Sequence, residues 1–145
     1  MKLPHRQKFE TRYEDKQDAY SNLLIEGSGQ VNVDTKFSNG KKVDGDTFVA
    51  VTLFFGSGSE VIAAMRQTKG LNAAGIGKAQ VGVVESKGVI PKERLSELNR
   101  VEVHYGRINK FGDVKIWKAI ETLINVLMAS EGQEFKVFAK GTKLQ

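Results

Sequence analysis

Residues 48–55 read Phe48-Val49-Ala50-Val51-Thr52-Leu53-Phe54-Phe55, an apolar run rich in β-branched and aromatic side chains that stops at Gly56-Ser57-Gly58-Ser59. Its length and composition are those of a central strand. Successive side chains of a strand point to opposite faces, so Phe54 and Phe55 cannot pack into the same core. One of them needs a second cover. Any fold containing this strand must therefore supply apolar material on both of its faces.

Beyond the Gly-Ser passage, Glu60-Val61-Ile62-Ala63-Ala64-Met65 is rich in helix formers, and residues 60–69 read as a short helix closed by Gly70. A strand, a small-residue loop and a helix start present unpaired N–H groups that can receive a phosphate. Gly56, Ser57, Gly58 and Ser59 are thus a candidate anion site. A plain structural junction explains the same residues, because Ser57 and Ser59 suit an N-cap and Glu60 suits a first turn. The complete dinucleotide and P-loop patterns are both absent.

Elsewhere the pattern is mostly of period two. Residues 31–37 alternate apolar and polar, residues 23–25 form a shorter apolar run, and Ser38-Asn39-Gly40 and Asp44-Gly45 carry turn chemistry. Residues 81–84, 100–108 and 135–138 also read as strands, and residues 91–98 as a short helix with Pro91 near its start. Residues 70–79 form a glycine-rich loop that carries Lys78. Residues 8–18 alternate acid and base, with Phe9 and Tyr13 at helical spacing, so residues 1–18 suggest a charged arm or a docking helix. For residues 109–117 two readings stand, a β-hairpin or an early helix start at Asp113. The hairpin through Ile116 is preferred, with a helix after it, because Val114 and Ile116 flank Lys115 in alternation. The expected class is α+β, mainly β: a small antiparallel OB-like barrel or strongly curved sheet with two or three helices, in one domain spanning 1–145.

The chain has no cysteine, so disulfides and thiolate zinc sites are excluded. The first residues lack the apolar run of a signal peptide, and the apolar run at 119–129 is too short to cross a bilayer, so a cytoplasmic protein without membrane contact is expected. Two histidines, His5 and His104, cannot make a multi-histidine metal site, and neither a metal nor another cofactor is expected. The net charge of +5 is unevenly placed: residues 69–118 hold ten basic and five acidic side chains, while the remainder is balanced. A basic segment in an otherwise neutral chain suits a polyanionic partner, although excess lysine also serves solubility.

Glu102 and His104 lie two apart on one strand face and could orient an imidazole for proton transfer. Such pairs are common on surfaces, and no nucleophile elbow or paired carboxylates accompany this one, so an enzyme is not expected. The denser constellation is the expected hairpin, where Tyr105, Arg107, Lys110, Phe111, Lys115, Trp117 and Lys118 interleave aromatic and basic side chains. Single-stranded nucleic acid takes that mixture, with bases stacked on rings and phosphates on cations. Lys69 and Lys78, flanking the glycine-rich loop, extend the set. The competing reading places Tyr105 and Trp117 in the core.

Taken in order, Ala19-Tyr20-Ser21-Asn22-Leu23-Leu24, Asp46-Thr47-Phe48-Val49-Ala50-Val51-Thr52-Leu53-Phe54, Val83-Val84-Glu85-Ser86-Lys87-Gly88 and Val101-Glu102-Val103-His104-Tyr105 resemble the phage single-stranded DNA-binding proteins of the T7 type. That resemblance implies a five-stranded OB-type barrel with a helix after a central strand. It also implies sequence-independent binding of single strands and assembly with itself or with replication partners. The chain departs from the group at its end, where Lys136, Lys140 and Lys143 stand in place of an acidic tail. The expected function is therefore non-catalytic binding of single-stranded nucleic acid, DNA by the resemblance. The alternative is a viral or phage assembly subunit, or a protein inhibitor, acting by protein contact.

Overall fold

In a computed structural model the chain forms two four-stranded antiparallel sheets with one long helix against the second. The structure describes residues 1–43, 45–108, 114–128 and 134–144, with only the backbone at Glu14, Val114, Lys115 and Ile116. Sheet A holds β1 (His5–Glu14), β2 (Gln17–Ile25), β3 (Gln30–Asn39) and β6 (Gln80–Val89), in the order β1-β2-β3-β6. Sheet B holds β7 (Arg100–Arg107), β4 (Asp46–Phe55), β5 (Val61–Leu71) and β8 (Phe135–Val137), in that order. A single helical turn, α1 (Lys92–Leu95), precedes β7, and α2 (Val114–Met128) lies between β7 and β8. The expectation of a mainly β, antiparallel fold with few helices is met. The sheets do not close into a barrel.

Three expected elements are corrected. Residues 8–18 are neither helix nor arm but the β1–β2 hairpin, paired from His5↔Ile25 to Glu14↔Gln17. Their charge alternation marks a wet face, with Lys8, Glu10 and Arg12 exposed and Phe9, Thr11 and Tyr13 half-buried. Residues 60–69 are not helix but most of β5, which pairs with β4 from Asp46↔Leu71 to Phe55↔Val61. Local preference for helix is a fraction of a kcal/mol per residue, and burial of Val61 through Met65 beside a central strand outweighs it. The third correction concerns the hairpin of 103–117: β7 ends at Arg107 and α2 begins at Val114. Trp117, Ile120, Ile124 and Met128 recur at three- and four-residue spacing and are all buried, whereas Lys118, Glu121, Thr122 and Asn125 are exposed.

β4 is buried on both faces over its last eight residues. Phe54 joins Leu23, Ile25, Val33, Met65 and Val101 between the sheets, and Phe48 joins Phe37, Ala19 and Leu71 further along the same interior. Its other face sends Val49, Val51, Leu53 and Phe55 against Trp117, Ile120, Ile124 and Met128 of α2. The Arg100 guanidinium lies 4.1 Å from the Phe55 ring centre and completes that cover. The two adjacent phenylalanines thus enter separate cores. Gly88 of β6 takes the Phe135 ring against its backbone, where a Cβ would come within 2.5 Å of ring carbons.

Candidate nucleic-acid interface

Along β7 the side chains of Val101, Val103, Tyr105 and Arg107 share one face, and that face looks into the space between the sheets. The Tyr105 hydroxyl donates to Ser21 Oγ at 2.7 Å, Ser21 and Thr35 are 2.7 Å apart, and Thr35 Oγ1 donates to Gln67 Oε1 at 2.6 Å. Thr35 has one hydroxyl proton and gives it to Gln67, so Ser21 donates to Thr35. The donors therefore run in one direction across both sheets. Gln67 Nε2 ends the chain on Val33 O at 2.9 Å and Val84 O at 3.1 Å. Burial pushes the Tyr105 phenol up to about 12 and raises that of Tyr13, whose hydroxyl donates to Val49 O.

Arg107 is 1% exposed, and its Nη1 donates to Gln17 Oε1 at 2.9 Å. Gln17 Nε2 in turn donates to Asn39 Oδ1, and Asn39 Nδ2 to Asn72 O. Trp117 is 7% exposed and belongs to the other core, beneath α2. The aromatic and basic side chains expected to form one strip are thus divided: Tyr105 and Arg107 tie the sheets together, and Trp117 anchors the helix. Neither Arg107 nor Trp117 stands on the solvent-facing side of its element. Lys110 and Phe111 lie outside the described residues, as does the side chain of Lys115. Lys118 is exposed on α2, Lys78 is exposed in its loop, and Lys69 is exposed beyond the core with its stem against Gly82.

The helix start on which the candidate anion site rested is absent. Gly56, Ser57, Gly58 and Ser59 join two strands, so no helix start supplies free N–H groups. Gly56 N–H donates to Glu60 O, Arg100 Nη1 donates to Gly58 O at 2.7 Å, and the Glu60 carboxylate stands beside Gly56. That carboxylate repels an anion and accepts instead from Arg94 Nη2 and Gly141 N–H. Arg94 also pairs with Glu97, which Lys140 approaches to 3.6 Å, so ion pairs hold this end of the sandwich. The Glu102–His104 pair does form, at 3.1 Å, and Arg100 Nε donates to the second Glu102 oxygen at 3.0 Å.

The opposite end is built from the β1–β2 turn, residues 40–43 and 45, and the loop 72–79, brought together because β2, β3 and β6 align Gln17, Asn39 and Gln80 in register. Gly40 N–H donates to Lys16 O and Ala74 N–H to Lys41 O, each at 2.7 Å, linking the three connections. On this platform Lys16, Lys42 and Lys78 are exposed, and Val43 (93% exposed) and Ile76 project into solvent, while Lys69 is exposed near the end of β5. Lys16, Lys42 and Val43 stand out in no local sequence motif. Only the strand register shows that their connections adjoin the loop that carries Lys78. Among the described residues no group of three or more metal-ligating side chains occurs. No family model, no curated protein and no solved structure matches the chain.

Proposed function

We propose that this chain is a non-catalytic binding module for single-stranded nucleic acid, and that it engages the strand at the platform of loops rather than along β7. The observation that carries the reading is that the exposed Lys16, Lys42 and Lys78 and the apolar tips Val43 and Ile76 lie on connections that meet at one end of the sandwich, with Lys69 exposed two residues before the end of β5. Lysines on flexible stems neutralise phosphates without reading sequence, and apolar tips offer contact to unstacked bases. A duplex presents its bases only at groove edges and would use the tips poorly.

Titration of a fluorescently labelled single strand at several salt concentrations tests this. Replacing Lys42, Lys69 and Lys78 together by Gln should weaken binding and reduce the salt slope by roughly two units, at about 0.7 for each phosphate of a single strand that is no longer neutralised. Lys140→Gln at the far end should leave both unchanged. Absence of saturable binding by the parent protein would end the reading. A second reading, assembly through protein contact, draws on Val81, Val83 and Val89, exposed together on the outer face of β6. Sedimentation velocity of the parent protein and a Val81→Lys/Val83→Lys variant tests it, since an assembly through this face is lost in the variant.

A further inference from the structure

Between α2 and the neighbouring parts of β4 and β5 lies a recess of about 120 Å³, lined by Val49 and Val51 of the sheet and by Trp117, Ile120 and Ile124 of the helix. Engineered apolar cavities of about 150 Å³ accept benzene, so this volume suits a single ring or a branched chain of similar bulk. The recess is partly open to solvent, and its polar lining is Arg66, Thr68, Glu121 and Asn125.

Arg66 gives the opening its chemistry. It is half-buried, its Nη1 donates to the neutral Asn125 Oδ1 at 3.4 Å, and it forms no ion pair with any described residue. A guanidinium carries five N–H donors in a planar fork that matches a carboxylate, and most of the Arg66 fork is unused by protein side chains. Glu121 also borders the recess, but it is exposed where Arg66 is half-buried, so water screens its charge more strongly. The balance of the polar lining therefore favours an anion over a cation. We propose that this recess binds a small apolar carboxylate, with the hydrocarbon body against Val51 and Trp117 and the carboxylate on Arg66. This site is separate from the loop platform and does not depend on nucleic-acid binding.

The chain has one tryptophan, and it lines the recess, so its fluorescence reports occupancy directly. The parent protein and Arg66→Gln, each first checked for native circular dichroism, are titrated with benzoate, benzyl alcohol and benzylamine, and saturation-transfer NMR provides a second readout. The proposal expects saturable binding of benzoate, at least tenfold tighter than either neutral or cationic analogue, and at least tenfold weaker in Arg66→Gln. It is overturned if benzylamine binds as well as benzoate, if Arg66→Gln binds benzoate unchanged, or if no ligand gives a signal in either readout. Because no oligonucleotide is present, none of these outcomes bears on the loop platform.

Discussion

The strand β4 builds two cores with opposite chemistry. On the α2 side, Val49, Val51, Leu53 and Phe55 meet only apolar neighbours within the buried cluster. On the sheet A side, two apolar clusters are separated by a polar belt that runs Tyr105, Ser21, Thr35, Gln67. An apolar core is tolerant of small shifts, because dispersion and burial have little directionality. A hydrogen-bonded belt is not, since a displaced strand leaves buried donors without acceptors. The contrast teaches that the sandwich has its strand register dictated by polar geometry, while α2 is held chiefly by the area it covers.

Gln67→Leu should break this contrast most severely. It leaves the Thr35 hydroxyl without its acceptor and removes three further hydrogen bonds, a cost on the order of 3–5 kcal/mol. Chemical denaturation should show the loss, and amide exchange should rise in both sheets together. Ile120→Ala, in the helix-side core, should cost about 2–4 kcal/mol through a cavity. Its exchange signature should be confined first to α2 and the Trp117 environment. If Ile120→Ala instead loosened both sheets equally, the division into two cores would be wrong.

A smaller effect sharpens the comparison through pH. Tyr105 titrates near 12 in the folded protein and near 10 when unfolded, so the folded state disfavours its ionised form. The associated stability is fully present below pH 10 and is lost as pH rises from 10 towards 12. Tyr105→Phe should remove part of that alkaline decline in the melting temperature, with Tyr13 supplying the remainder, and should leave the slope unchanged below pH 9. Smallest of all is Thr52→Val. The Thr52 hydroxyl is buried between the sheets without a hydrogen-bond partner among the described residues, so its replacement should be neutral or stabilising by up to about 1 kcal/mol. A loss above that size would mean that the hydroxyl joins the belt.

Much of the strand framework was legible in the chain. Alternation at 31–37 and the helical turn after Pro91 correspond to formed elements, whereas Ser38-Asn39-Gly40 closes no hairpin, because β3 pairs with β2 and β6 and β4 lies in the other sheet. The need of Phe54 and Phe55 for separate covers was legible too, and both covers exist. Two elements were misread for the same reason. Residues 60–69 carry helix formers and residues 114–117 carry strand-like alternation, yet pairing with β4 and packing over sheet B reversed both preferences. The site was less legible. Tyr105, Arg107 and Trp117 are close in sequence, but a strand face and a helix face carried them into different interiors.

By itself the sequence determined that the chain would be antiparallel and rich in β-structure, because side-chain alternation and turn residues act locally. Tertiary structure alone decided which face of β7 turned inward, which loops gathered at one end, and which cations were left exposed. Those outcomes depend on register between strands distant in sequence, and register is settled by both partners together, through shared burial and the hydrogen bonds of the polar belt, rather than by the preferences of either.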